Sequence, residues 1–301
     1  MRILVPVDGT EQSRHMLRFL AGRETMLGSH PDITLANVQY SVPEAVIRLL
    51  DLQSVKAACE AEGRQVFDKL RDEISQLRAD VKETVLYGDA GEAIAAEADR
   101  IDADLIVMGT RGLNAPMGYL LGSVSNSVLS KTQRPLLLVR PETPVTGGDA
   151  MRVGVAVDGS EHGLAAVAVT LSNAELFGKN ASFRILNAQL DYRDVMSQSA
   201  YMLDTIGPLL TQDEFREEAE KAYKDAVDPA LELFKTARLP ATGVELFGDA
   251  GEAISEYARE NLDILVMGSH GRGNFTAAVM GSTAMKIAAT STVPILVVRK
   301  Y

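Results

Sequence analysis

Two short glycine patterns carry the residues whose type and spacing could do chemistry. Gly109-Thr-Arg-Gly112 is followed after nine residues by Gly122-Ser123. Gly268-Ser-His-Gly271 is followed after nine residues by Gly281-Ser282. Each pattern begins where an apolar run ends in Val-Met. Each closes where a helical pattern begins, at Ser123-Val-Ser-Asn-Ser-Val-Leu129 and at Ser282-Thr-Ala-Met-Lys-Ile-Ala288. Glycine lets the backbone take positive φ and approach a ligand closely. A helix N-terminus offers unpaired N–H groups and the positive end of the helix dipole. Together these make an anion pocket suited to phosphate, to which Ser123 and Ser282 add a hydroxyl donor. The alternative makes Ser123 and Ser282 plain N-caps and the glycines simple turns. Neither pattern is a Walker A loop, since no Gly-Lys-Ser/Thr follows, and a dinucleotide fingerprint would sit after the first strand.

A second set of candidates lies at strand ends. The first apolar run closes in Val7-Asp8-Gly9-Thr10, and its counterpart in Val157-Asp158-Gly159-Ser160. A carboxylate there can accept hydrogen bonds from ribose hydroxyls or approach a metal; the other reading is an Asx-turn or N-cap that starts a helix. Val38 and Ala188 end the next run and could line an adenine slot or belong to the core. The side chains inside the loops differ between the two patterns, Arg111 in one and His270 in the other. Arginine stays cationic and histidine titrates near neutrality, so the loops are expected to answer differently to pH, unless His270 points to solvent. Glu161-His162 reads as a solvated first helical turn.

These residues must be held by something, and the chain builds the holder twice. Gly88-Asp-Ala-Gly-Glu-Ala-Ile94 recurs letter for letter as Gly248-Asp-Ala-Gly-Glu-Ala-Ile254. Three further segments repeat in the same order: Ile3-Leu-Val-Pro-Val-Asp-Gly-Thr10 with Val153-Gly-Val-Ala-Val-Asp-Gly-Ser160, Leu105-Ile-Val-Met-Gly-Thr-Arg-Gly112 with Ile264-Leu-Val-Met-Gly-Ser-His-Gly271, and Arg134-Pro-Leu-Leu-Leu-Val-Arg140 with Val293-Pro-Ile-Leu-Val-Val-Arg299. The period is a whole domain. Domains are predicted over 1–142 and 151–301, separated by the Pro- and Gly-rich stretch Pro141-Glu-Thr-Pro-Val-Thr-Gly-Gly-Asp-Ala150. Repeat 2 has nine extra residues between its strand-end Asp and its first loop glycine, around 190–212. That insertion is apolar at Met196, Tyr201, Met202, Leu203, Ile206 and Leu209 and reads as a packed flap or a subunit contact.

Strands are predicted in repeat 1 over 3–7, 34–38, 81–86, 105–108 and 136–139, with helices over 65–77 and 91–100. Repeat 2 follows suit, with a helix over 213–237. Continuous apolar runs suit strands buried on both faces. The alternation predicts an α/β protein of two tandem doubly wound domains, each a five-stranded parallel sheet with helices on both faces. Ligands bind such sheets beyond the carboxyl ends of the strands, where both glycine patterns fall.

Composition narrows the partners. The net charge of −11 argues against a broad nucleic-acid surface but not against a nucleotide held by a few amides. The single cysteine, Cys59, allows no intrachain disulfide and reads as a small apolar residue in a helix. The short N-terminal apolar run does not read as a signal peptide, no stretch is long enough to span a membrane, and a cytoplasmic protein is expected.

The order of elements, the Val-Asp-Gly-Thr/Ser opening, the Met-Gly-x-x-Gly-x9-Gly-Ser pattern and the final Pro-hydrophobic-Val-Arg strand resemble the universal stress protein family, in its ATP-binding branch, over nearly the whole chain and twice. The resemblance implies that domains pair through their last strands, here 136–139 with 295–298 in one chain, with a homodimer as a further option. It implies ATP as ligand, accompanied by Mg. In repeat 1, Asp8 would meet the ribose, Val38 the adenine, and Gly109, Arg111, Gly112, Gly122, Ser123 and Val124 the phosphates. In repeat 2 the same places fall to Asp158, Ala188, Gly268, His270, Gly271, Gly281, Ser282 and Thr283. Repeat 1 departs from the pattern only by a proline inside Leu113-Asn-Ala-Pro-Met-Gly118. Three classes stay open at this point: an ATP-binding regulatory protein with at most slow hydrolysis, an interaction scaffold with vestigial loops, and a nucleotide-activating enzyme. The last lacks an obvious activated group, since the four histidines (His15, His30, His162, His270) show no metal-ligand spacing.

Overall fold

The computed structural model describes residues 1–23, 31–40, 52–110, 121–145, 150–198, 211–271 and 280–299. In repeat 1, β1 (Arg2–Pro6), β2 (Asp32–Gln39), β3 (Asp80–Tyr87), β4 (Leu105–Gly109) and β5 (Leu136–Val139) alternate with α1 (Glu11–Ala21), α2 (Leu52–Lys69), α3 (Arg71–Ile74), α4 (Ala90–Arg100) and α5 (Ser123–Lys131). Repeat 2 has β6 (Arg152–Ala156), β7 (Ser182–Gln189), β8 (Ala241–Phe247), β9 (Ile264–Gly268) and β10 (Ile295–Val298). Its helices are α6 (Glu161–Ser172), α7 (Tyr192–Gln198), α8 (Gln212–Thr236), α9 (Ala250–Asn261) and α10 (Ser282–Thr290). Each predicted strand is present to within two residues. The helix predicted over 65–77 is instead α2, which starts further upstream, followed by the separate turn α3 after Leu70.

The strand order is β3-β2-β1-β4-β5-β10-β9-β6-β7-β8. Within each repeat all neighbours are parallel, as predicted, because each crossover runs through a helix. Both sheet faces are covered. Along β1, Ile3 and Val5 join the core that holds Met16 and Leu17 of α1, whereas Leu4 joins the opposite core with Ile94 of α4 and Val128 of α5. This explains why the strands read as continuous apolar runs.

The repeated heptapeptide seats α4 on α5 and α9 on α10. Gly88 and Gly248 hold φ of 115° and 104°, a left-handed turn that favours glycine. Asp89 and Asp249 then cap the helix by accepting from the N–H of Glu92 and Glu252. A Cβ on Gly91 would stand 2.0 Å from Ser127 Oγ of α5, so only glycine permits this helix crossing.

The two five-stranded sheets become one through β5 and β10, which pair antiparallel: Ile295 opposite Leu138, Leu296 opposite Leu137, Val297 opposite Leu136. The arginine that follows each of these strands crosses to the other repeat. Arg140 Nη1 donates to the carbonyls of Ala288 (3.1 Å) and Ala289 at the end of α10. Arg299 Nη1 donates to those of Leu129 (2.9 Å), Ser130 (3.0 Å) and Thr132 (3.4 Å) at the end of α5. Each loop helix thus receives, at its negative end, a cation from the opposite repeat. Charge-assisted bonds of this kind are among the stronger ones. Replacing Arg140 or Arg299 by alanine is expected to lower stability by about 2 kcal/mol each, read as an earlier midpoint in urea denaturation of the full chain. An unchanged midpoint in both variants would remove the arginines from the join.

Candidate nucleotide site

Each repeat reverses its winding between its first and fourth strands. From β1 the chain winds outward to β2 and β3, and from β4 it winds the other way to β5. Such a reversal opens a crevice at the carboxyl ends of the two strands. Asp8 follows β1 and Gly109 ends β4, so the topology brings them to one place. Asp158 and Gly268 stand at the matching reversal between β6 and β9.

The strand-end carboxylates are held by their own turns. Asp8 Oδ1 accepts from the Thr10 N–H (3.1 Å), Thr10 Oγ1 (2.6 Å) and Ser13 Oγ (2.7 Å). Asp158 Oδ1 accepts from the Ser160 N–H at 3.0 Å. Both are Asx-turns, and the N-caps of α1 and α6 are Thr10 and Ser160 rather than the aspartates. The turn engages one oxygen. The other oxygen of Asp158 lies 2.6 Å from where a Cβ on Gly271 would stand, so it is turned toward the loop. Just beneath, Asn37 and Asn187 donate to the carbonyls of Val7 and Val157, each at 2.8 Å. These buried amides fix the two strand ends and were not singled out in the sequence, although they stand one residue before Val38 and Ala188. Val38 and Ala188 themselves are half-buried and rest on the edge of the α4 and α9 cores.

The loop helices begin at Ser123 and Ser282, where the sequence pattern places them. Gly122 is the N-cap of α5 and Gly281 the N-cap of α10, and neither supplies a capping side chain. Ser123 and Ser282 are first-turn residues, and the plain N-cap reading does not hold. The contrast with the rest of the molecule is informative. Thr10, Asp89, Ser160, Thr211 and Asp249 each cap their helix through a side-chain oxygen. At α5 and α10 the cap residue offers the first-turn N–H groups of 123–125 and 282–284 no side-chain oxygen, and an anion would fit them. Ser123, Val124, Ser282 and Thr283 are exposed there. The cap glycines are extended, with φ of −55° and −66°, so they serve by lacking a side chain and not by positive φ.

Both loops are closed by the same bond. Gly122 N–H donates to the Thr110 carbonyl (2.7 Å), and Gly281 N–H to the Ser269 carbonyl (2.8 Å). In repeat 1, Ser125 Oγ adds a bond to the Gly109 carbonyl at 2.8 Å. Gly109 and Gly268 are where the first helix passes the strand end: a Cβ would meet Gln12 Cγ at 2.6 Å and the His162 carbonyl at 2.7 Å. Around this point lie the buried atoms Gln12 Oε1, Thr110 Oγ1 and Asn126 Oδ1, which make no hydrogen bond. Arg111 and Gly112 lie outside the described residues, as do residues 199–210 of the insertion. Its described start, α7, packs Tyr192 on Phe215 of α8.

Repeat 2 holds a pair of histidines where the sequence suggested a solvated turn. His162, on the first turn of α6, faces His270 of the loop with ring centroids 5.4 Å apart. Its Nδ1 is buried and makes no hydrogen bond. His270 Nδ1 is 3.0 Å from Ser269 Oγ. Burial pushes the His162 imidazole below the ordinary histidine value; His270 and Arg299 push the same way, and Asp158 pulls against them. The signal for this pair was available only by laying the two repeats together, which aligns His162 with Gln12 and His270 with Arg111.

Comparison with known proteins identifies the family and the fold. The model of the universal stress protein family matches residues 1–140 and again 150–299. A universal stress protein of Mycolicibacterium smegmatis is 26% identical, over 99% of this chain and 96% of its own length. One from Methanocaldococcus jannaschii is 29% identical, over 46% of this chain and 94% of its own length, the span of one repeat. The crystal structure of a universal stress protein from Archaeoglobus fulgidus superposes with a TM-score of 0.62 at 20% identity, over 99% of this chain and 96% of that one, and so shares the fold. The chain belongs to the universal stress protein family and carries its domain twice.

Proposed function

We propose that this protein is an ATP-binding regulatory member of its family, with one adenine-nucleotide site per repeat. The observation that carries the reading is the pair of helix N-termini, α5 and α10, that have no capping side chain at the two winding reversals while the other described long helices with a described start are capped by one. The β- and γ-phosphates sit on the amides of 123–125 and 282–284, with the hydroxyls of Ser123, Ser282 and Thr283 as added donors. Asp8 and Asp158 accept from the ribose hydroxyls. Val38 and Ala188 give the adenine an apolar surface. Arg111 and His270 approach the phosphates from the loop, Gly109, Gly112, Gly268 and Gly271 let the backbone come close, and Mg accompanies the triphosphate. The role is binding and sensing, with hydrolysis at most slow. No described helix is long and apolar enough to cross a membrane, and the reading places the protein in the cytoplasm.

Isothermal titration of the full chain with Mg-ATP is expected to show two sites. Absence of heat, together with no thermal stabilisation at millimolar ATP, would overturn the reading. Gly281→Val is expected to remove one site and leave the other. A Cβ at Gly281 meets only ordinary contacts among the described residues, the nearest being His270 Cα at 3.6 Å, so the branched side chain is expected to crowd the space between the loop and the first turn of α10 without breaking the fold. Unchanged stoichiometry in Gly281→Val and in Gly122→Val would mean that these caps do not touch the ligand. With a net charge of −11, nucleic acid is not expected as a partner. Sub-micromolar retardation of DNA or RNA at about 0.15 M salt would contradict that.

A further inference from the structure

The two sites are built alike in backbone and unlike in proton chemistry. In repeat 2 the first helical turn and the loop each present an imidazole, His162 and His270, at 5.4 Å between ring centroids. In repeat 1 the aligned residues are Gln12 and Arg111, one that never titrates and one that stays charged throughout the accessible range. Gln12 is tied to the β5 end, its Nε2 donating to the Val139 carbonyl at 2.8 Å. The Nδ1 of His162 makes no such bond and is buried, and the residue's carbonyl and Cβ lie against Gly268.

We propose that the His162–His270 pair makes the repeat 2 site proton-coupled: a polyphosphate that binds there brings a proton onto the pair, and repeat 2 fills more readily as pH falls, whereas repeat 1 does not. The inference rests on the nucleotide reading above and adds a regulation to one of its two sites. The charged and titratable groups facing the pair set the sign. Asp158 at the end of β6 attracts a proton to His162, while Arg299 at the end of β10 and His270 itself repel it, and burial opposes the charge as well. In the free protein the balance favours neutral His162 at neutral pH. A polyphosphate on the N-terminus of α10 changes that balance, because it places several negative charges beside His270, two residues from Gly268 and next to the bare first turn. The protonated form then becomes the favoured one in the complex. By linkage, whatever raises the pair's proton affinity on binding must tighten binding as protons become available.

The experiment uses the full chain. Gly122→Val leaves repeat 2 as the reporting site, and Gly281→Val leaves repeat 1. Titration with ATP at pH 6 and pH 8, in pairs of buffers with different ionisation heats, reads affinity and protons taken up together. Repeat 2 is expected to bind about tenfold more tightly at pH 6 than repeat 1 does relative to its own pH 8 value, since one unit of pKa displacement is tenfold in binding. The phosphate's own titration near pH 6 acts on both sites alike, so the difference between them is the quantity read. Proton uptake is expected at repeat 2, and His162→Gln, which copies repeat 1, flattens its profile. A ligand-free arm stands beside it: in the NMR titration of the imidazoles, His270→Gln is expected to raise the His162 pKa by removing a like charge. Its depressed value also means that His162 contributes stability present above the ordinary histidine value and lost as pH falls through the folded one. ATP bound at both sites with equal pH dependence and no proton uptake, or a His162 titration unmoved by His270→Gln, overturns the inference alone. No ATP bound at either site removes the nucleotide reading and this inference with it.

Discussion

The antiparallel contact of β5 with β10 is the constraint on which the rest of the molecule depends. Leu136, Leu137, Leu138 and Val139 are fully buried, as are Ile295, Leu296, Val297 and Val298 within 2%. Either repeat alone would end in an apolar edge strand with unpaired N–H and C=O groups, a template for aggregation. Pairing the two edges removes both. Because the strands run antiparallel, the carboxyl ends of the two half-sheets face opposite edges of the ten-stranded sheet. Each repeat therefore keeps its own crevice, and the two do not merge into one site.

The join also reaches the sites electrically. Arg140 and Arg299 neutralise the carbonyl ends of α10 and α5, the same helices whose amide ends are left bare at the crevices. Each loop helix is held at its C-terminus by the other repeat and is capped at its N-terminus by a glycine. Arg299 has a second consequence, since its charge is felt by His162 in its own repeat. The last residue of the repeated Pro-hydrophobic-Val-Arg strand is thus a structural cation between a helix of one repeat and the crevice of the other.

Much of this was legible in the sequence, for physical reasons. The duplicated heptapeptide reports a glycine turn, a cap and a helix crossing that only small residues permit, so its letters are over-determined. Strands buried on both faces show as continuous apolar runs, and the strand-end glycines mark where the first helix passes close. What stayed hidden depends on long-range contact. Nothing local shows that Arg299 lies against Leu129, or that His162 and His270, more than a hundred positions apart, face one another. The start of α5 at Ser123 is legible in the sequence, and only the alternative that makes Ser123 its N-cap fails. Here the cap is glycine, and the missing side chain is what leaves the amides open. The cap glycines are extended, whereas positive φ among the described glycines falls at Gly9, Gly88, Gly159, Gly178 and Gly248.

In the proposed function the glycine-capped first turns of α5 and α10 hold the phosphates. Backbone amide shifts of the full chain, followed by NMR as ATP is added, test it most directly. The account predicts that the largest changes fall on the N–H groups of 123–125 and 282–284, with adenosine alone leaving those amides nearly unmoved. Shifts centred elsewhere on the sheet, with both first turns unchanged at saturating ATP, would contradict it.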